Sequence, residues 1–192
     1  FSSEVSLIAA RNPQGQCALY PLTENYHRNG ILLSSIAPAD DLPEALRLQA
    51  LQIAETLLQQ WRYVGVLAIE LFVAGDRLLV NELAPRVHNS GHWTQAAGVC
   101  SQFENHLRAI AGWGLGETIP AQYAGMVNLL GRLAPEEIAG RSNVQQHLYN
   151  KALRPGRKVG HLNLSFGNRA LLEEQILEIR QCLYEGAESS PQ

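Results

Sequence analysis

Residues 64–73, Val-Gly-Val-Leu-Ala-Ile-Glu-Leu-Phe-Val, are apolar at both odd and even positions. Side chains alternate across a strand, so such a segment reads as a β-strand buried on both faces, which demands a sheet covered on each side. Glu70 is the one charged residue among these ten. An ionised carboxylate is costly to bury unless it is paired or holds a metal. Ala74-Gly75-Asp76 is turn chemistry, and Arg77–Glu82 reads as the returning strand, which sets Glu82 almost opposite Glu70. On one face of an antiparallel pair, opposite Cβ atoms lie roughly 4.5–5.5 Å apart. Two carboxylates that close force one to protonate unless a cation lies between them. Oxygen-only ligands suit Mg2+ or Mn2+, and Mg2+ usually takes one or two carboxylates and completes its shell with water and phosphate. The pair therefore points to a metal–nucleotide site, with Asn81 and Asn89 as further oxygen donors. Glu82 by itself fits an exposed strand end equally well.

The segment after the pair, Leu83–Thr94, sets Arg86, His88, Asn89 and His92 just beyond it. A guanidinium there can stabilise charge on a transferring phosphoryl group, and His88 can move a proton near neutral pH. Further on, Lys151–His161 packs four cations (Lys151, Arg154, Arg157 and Lys158) and a histidine into eleven residues of a chain with net charge −3. Pro155-Gly156 is a turn with arginines on both sides. That suits a single phosphate or carboxyphosphate, whereas nucleic-acid binders spread Lys and Arg over a wide face. No nucleic-acid partner is expected. No membrane partner is expected either, because no apolar run approaches the roughly 20 residues of a span.

The rest of the chain reads as alternating strands and helices. Val5–Arg11 and Gln16–Tyr20 form a hairpin about Asn12-Pro13-Gln14-Gly15; Pro21–Gly30 is a polar loop, and Ile31–Ile36 is a short apolar run. Pro43–Trp61 has the clearest helical stripe, through Leu46, Ala50, Ile53, Leu57 and Trp61. Ala84–Thr94 is a loop. Ser101-Gln-Phe-Glu104 is a capping box opening a helix through Phe103, Leu107 and Ile110 to about Trp113. The break at Gly114–Ala121 divides residues 1–115 from a small β-rich subdomain, residues 116–192. In that part, strands fall at Gly125–Leu130, His147–Tyr149 and Lys158–Leu164, Asn168 caps a helix over Ala170–Tyr184, and Glu185–Gln192 is a frayed tail. With 192 residues, 46% apolar and 17% charged, the chain is not intrinsically disordered. Three widely spaced cysteines give neither a disulfide framework nor a metal knuckle; they read as buried or partly buried free thiols in a reducing cytoplasm. There is no signal peptide. The only methionine is Met126 and Phe1 opens directly into strand-like sequence, which reads as a piece of a longer protein.

Asn81-Glu82-Leu-Ala-Pro-Arg86-Val-His88-Asn89-Ser-Gly91-His92-Trp93-Thr94, Ser101-Gln-Phe-Glu104 and Arg154-Pro-Gly-Arg-Lys158-Val-Gly-His161-Leu-Asn163 together resemble the 5-(carboxyamino)imidazole ribonucleotide synthetases. These are the ATPase subunits of phosphoribosylaminoimidazole carboxylase, within the ATP-grasp superfamily. The opening Phe1–Arg11 and Tyr20–His27 are similar as well, so the resemblance runs along nearly the whole chain, but only to the family's C-terminal half. It implies an α+β fold: the C-terminal half of an ATP-grasp domain, an antiparallel sheet with packed helices, followed by the small subdomain. It implies a step of purine biosynthesis in which ATP phosphorylates bicarbonate to carboxyphosphate and the amino group of 5-aminoimidazole ribonucleotide is carboxylated. By the family's pattern Glu70 and Glu82 hold Mg2+, Glu4 and His27 contact nucleotide with Asn81 and Glu82, and Arg86, His88 and Asn89 surround bicarbonate. Lys151, Arg154, Arg157 and Lys158 face carboxyphosphate and the ribonucleotide phosphate. The family's N-terminal domain and ATP lid are absent from this chain, so the missing half is expected as a partner, with a homodimer as the assembly. Biotin-dependent carboxylases and related ligases would share the hairpin but not these motifs. Outside enzymes, the alternative is a non-catalytic binding or assembly fragment.

Overall fold

The computed structural model describes residues 2–184. Nine strands form one sheet: β1 Ser3–Arg11, β2 Cys17–Leu19, β3 Thr23–Arg28, β4 Ile31–Ala37, β5 Gly65–Ala74, β6 Arg77–Ala84, β7 Tyr123–Leu130, β8 Val144–Leu148 and β9 Lys158–Phe166. Their order is β6-β5-β1-β3-β4-β7-β9-β8, with β2 beside β1. All pairings are antiparallel. The helices are α1 Glu44–Trp61, α2 Gln102–Ile110, the short α3 Glu136–Ala139 and α4 Arg169–Tyr184, with a 3-10 segment at Asn89–Gln95. The fold is α+β, as the sequence implies.

The two-sided apolar strand is explained by its neighbours. Odd residues of β1 and β5 (Leu7, Leu67, Ile69, Leu71) pack against Leu46, Ala50, Ala54 and Leu58 of α1. Even residues (Ile8, Ala10, Val66, Ala68) pack on the other face with Trp93, Ala97 and Met126. A third core lies between β7, β9, α3 and α4. The division expected at residue 115/116 lies in the connection between α2 and β7, and the sheet runs on across it, because Ser34–Ala37 of β4 pair with Ala124–Val127 of β7.

Several local expectations change. The polar loop at 21–30 contains strand β3: Thr23 and Asn25 face inward and are hydrogen-bonded, which disguises a buried strand as a polar one. The α1 stripe is the 46-50-54-58 row. Ile53 and Leu57 are half-buried and Trp61 is 53% exposed, because two alanines let the helix approach the sheet along that row. Helix α2 buries Gln102, Asn105 and Ala109 and leaves Leu107 and Ile110 at 67% and 57% exposure. It stops at Ile110, before Trp113, with Gly112 at φ +71° as the left-handed terminator. The stretch expected to be a loop, Ala84–Thr94, ends in the 3-10 segment, and the strand expected at 147–149 is β8, Val144–Leu148. Cys17 and Cys100 are half-buried thiols, but Cys182 is exposed. Ser101 caps α2 by accepting from the Glu104 N–H, and Asn168 caps α4 by accepting from the Leu171 N–H. The tail expected at 185–192 lies outside the described residues. Among the described residues no helix is long and apolar enough to cross a membrane.

Candidate functional site

On the even face of β1 and β5 the residues change character along the strands. Ile8, Ala10, Ala68 and Val66 are core; Glu4, Ser6 and Glu70 lie farther along. Glu70 pairs with Glu82 across β5 and β6, as the hairpin spacing predicts. The next pair is Leu71 with Val80, so Asn81 is the extra residue of a β-bulge. Bulges re-aim side chains and recur beside active sites. Glu70 is half-buried, whereas Asn81 and Glu82 are exposed.

Burial, with Glu82 and Glu4 nearby, pushes the Glu70 carboxyl up, against the pull of Lys158 and Arg86. A cation between the carboxylates would reverse that push. Glu4 Oε2 lies 2.8 Å from Nδ1 of His27, whose pKa burial lowers despite Glu4. His88 Nε2 lies 3.5 Å from Glu70 Oε1. Burial first, then the charges of Arg86, Lys158 and His27, lower the His88 pKa to about 4. Lys158, half-buried, is lowered by burial and supported by Glu70. Carboxylates thus face two cations at one end of the sheet. Among the described residues no group of three His, Cys, Asp or Glu converges as a metal cage. Two hard carboxylates fit a cation that brings phosphate oxygens as its other ligands.

Glu4, His27, Glu70, Glu82, Arg86, His88 and Lys158 are therefore brought together. Asn89 is turned onto Asn128 in a reciprocal amide pair of 2.9 and 2.6 Å. Lys151, Arg154 and Arg157 are exposed in the turn leading to β9, with Lys151 Nζ 5.1 Å from the Tyr149 ring centre.

Sequence reasoning missed the residues that hold this site in place. A buried chain runs from Ser35 Oγ to Asn25 Oδ1 (2.9 Å), Asn25 Nδ2 to Ser6 Oγ (3.0 Å) and Ser6 Oγ to Ser90 Oγ (2.8 Å). Ser90 Oγ then lies 2.9 Å from His88 Nδ1. Gln102, fully buried, clamps the His88 backbone: its Oε1 accepts from the His88 N–H at 2.9 Å, and its Nε2 donates to the His88 carbonyl at 2.7 Å. His92 and His161, which the sequence did single out, stack on each other at 4.6 Å, and His161 stacks on His147 at 4.7 Å. Burial lowers the pKa of His92 to about 4 and that of His161 to about 2. The available signal was the one that exposed Glu70: a lone polar residue in an apolar strand, as at Ser6 among Val5–Ala10 and Asn128 within β7.

Residues 1–103 match the ATP-grasp domain family model, and residues 124–175 match that of the phosphoribosylaminoimidazole carboxylase C-terminal domain. The chain is 45% identical over 188 residues to the N5-carboxyaminoimidazole ribonucleotide synthase of Vibrio cholerae, covering 97% of this chain and 49% of that protein. It is 48% identical over 168 residues to that of Escherichia coli, covering 86% and 46%. The N5-carboxyaminoimidazole ribonucleotide synthetase structure from Thermus thermophilus superposes with TM-score 0.90 at 47% identity, over 100% of this chain and 52% of that one. The Aspergillus clavatus synthase, in complex with ADP and 5-aminoimidazole ribonucleotide, gives 0.85 at 28% identity, over 95% and 52%. The chain spans about half the length of the curated relatives it matches.

Proposed function

The chain belongs to the ATP-grasp family, and from that premise we propose that it forms part of a carbon–nitrogen ligase site that carboxylates 5-aminoimidazole ribonucleotide with ATP and bicarbonate. The observation that carries this reading is the Glu70–Glu82 pair in register, with the charges of Arg86 and Lys158 acting on Glu70. It stands in a chain similar over 97% of its length to an N5-carboxyaminoimidazole ribonucleotide synthase. In the reaction a bicarbonate oxygen attacks the γ-phosphorus of ATP, the bond to the β-bridging oxygen breaks and ADP leaves. The 5-amino nitrogen then attacks the carboxyl carbon, phosphate leaves and the nitrogen loses a proton.

Glu70 and Glu82 would hold Mg2+ or Mn2+, which when bound neutralises phosphate charge. Glu4, His27 and Asn81 line the nucleotide side. Arg86 and Lys158 supply positive charge where phosphoryl transfer, governed mostly by positioning and electrostatics, needs it. His88 and Asn89 flank bicarbonate, and Lys151, Arg154 and Arg157 meet the ribonucleotide phosphate. Residues 1–115 then serve metal and nucleotide, and residues 116–192 contribute the basic segment. A homodimer and a cytoplasmic location go with this reading; the half-buried thiols Cys17 and Cys100 suit a reducing compartment.

The test joins this chain to the remaining half of the Vibrio cholerae relative and follows ADP release and incorporation of labelled bicarbonate. The fusion should turn over, its Glu82→Gln variant should not, and the 192 residues alone should not. Near-normal turnover by the variant, or robust turnover by the chain alone, overturns the reading.

A further inference from the structure

The buried chain that ends at His88 has a direction. The Ser90 backbone N–H, which can only donate, points at His88 Nδ1 at 3.3 Å. That nitrogen must therefore present its lone pair, and in a neutral ring the proton sits on Nε2. The hydroxyls agree. Ser35 donates to the Asn25 carbonyl oxygen, the Asn25 amide donates to Ser6, and Ser6 donates to Ser90. Having accepted from Ser6, the Ser90 hydroxyl turns its own proton toward His88 Nδ1, 2.9 Å away. Ser6, Ser35, Ser90 and Asn25 are all buried, so water does not compete for these bonds. On the far side of the ring, Nε2 faces Glu70 Oε1 at 3.5 Å, too long for a good hydrogen bond. The N–H is aimed into the site without being consumed.

We propose that Ser90 is a positioning residue that fixes His88 as the Nε2–H tautomer, its hydroxyl oriented by the Ser35–Asn25–Ser6 chain, so that the imidazole meets the substrate as a hydrogen-bond donor and not as a base. This deepens the reading above and rests on it for the identity of the substrate, an anion of the bicarbonate or acyl-phosphate class. It replaces the proton-moving role that the sequence suggests for His88. A donor held in place suits charge that develops on an oxygen, because no reorganisation is needed at the moment of reaction.

The test is long-range 1H–15N correlation spectroscopy of the chain labelled on histidine, with the His88 signals identified by their loss in His88→Gln. The expected wild-type pattern has Nδ1 resonating as a bare nitrogen and Nε2 as a protonated one. In Ser90→Ala the opposite tautomer should gain roughly fivefold in population, the worth of one ordinary hydrogen bond. If Ser90→Ala does not fold, Ser6→Ala, which removes the donor onto Ser90, should shift the population in the same direction by less. An Nδ1–H pattern or a fast-averaged mixture in the wild-type chain overturns the proposal. So does an unchanged tautomer ratio in a folded Ser90→Ala. The spectrum needs no turnover. An Nε2–H pattern alongside normal turnover of the His88→Gln fusion supports the tautomer assignment and overturns only the functional reading.

Discussion

Gly91→Ala should destabilise the chain through Gln102, far more than one methyl group suggests. A Cβ on Gly91 would stand 2.6 Å from Gln102 Oε1, 2.8 Å from its Cδ and 3.0 Å from Ile8 Cγ1. The amide cannot swing aside cheaply, because it holds the His88 backbone at both N–H and carbonyl. Moving it leaves the His88 N–H unpaired, at about 1–3 kcal/mol, and takes from the His88 carbonyl one of its two donors, the other being the Gly91 N–H at 3.0 Å, at about 1 kcal/mol, for a total of about 2–4 kcal/mol. With a urea slope of about 2 kcal/mol per molar for a domain of this size, the midpoint should fall by about 1–2 M. Trp93 is fully buried while Trp61 and Trp113 are exposed, so intrinsic fluorescence follows the right region. Gly114→Ala is the control: nothing lies within 4 Å of its Cβ position, and it should change stability by less than about 0.5 kcal/mol. The Gly91→Ala/Gln102→Ala double variant should cost less than the two single variants summed, since both remove the same clamp. A Gly91→Ala midpoint within about 0.3 M of wild type would refute the reasoning.

Stability should rise with pH between about 4 and roughly 6.5. Burial holds His88 and His92 at about 4 when folded, the unfolded chain titrates near 6.5, and the unfolded state therefore binds more protons in that window. Melting temperature should be highest above that window and fall as pH drops toward 4; a flat profile contradicts the burial of these rings. The folded Glu70 carboxyl is raised, so its contribution has the opposite sign and falls as pH rises. Glu82→Gln removes a repelling charge and should raise the metal-free melting temperature at pH 7 while reducing the stabilisation by added Mg2+, both read by calorimetry. Asn128→Leu should cost about 1–3 kcal/mol in urea unfolding, because it leaves the Asn89 amide and the Leu32 carbonyl without their partner.

How much of this was legible in the sequence follows from which physical signal each part leaves. The β5–β6 hairpin was legible because its pattern is extreme: apolar at both parities with a single charge, a Gly75 turn at φ +65°, and a return strand long enough to carry Glu82 back beside Glu70. Counting then brings Glu70 and Glu82 nearly opposite, and the bulge at Asn81, which no count predicts, completes the pairing. Strand β3 was not legible, because its inward residues are Thr23 and Asn25, and hydrogen-bonded polar side chains erase the alternation that marks a buried strand. Helix α2 failed for the same reason in reverse: Gln102 and Asn105 face the core, so Leu107 and Ile110 suggested the wrong face. Asn105 donates to Tyr20 Oη at 2.8 Å and accepts from the Gly116 N–H at 2.8 Å, pairings with partners 85 and 11 residues away that no local window can register. The basic cluster was legible as a charge excess, but composition gave no means to separate the half-buried Lys158 from its three exposed neighbours.

The polar interior is also what fixes the site. Arg86 and His88 lie on a connection between a strand and a 3-10 segment, a kind of structure that is ordinarily mobile. Here it is anchored at several points. Ala84 belongs to the even-face core, Trp93 packs edge-on against Tyr20 with ring centres 6.1 Å apart while its Nε1 donates to Thr23, and Gln102 grips the His88 backbone between them. Trp93 and Gln102 are buried polar groups whose release would leave a partner unsatisfied, so these two anchors tend to hold or fail together. An apolar filling of the same volume would pack as well but would not fix the imidazole's rotation or tautomer. On that account Ser6, Asn25, Ser90 and Gln102 contribute to function by restricting His88 to one orientation beside Glu70, and Gln102, which grips the backbone as well, ties that orientation to the stability of the fold.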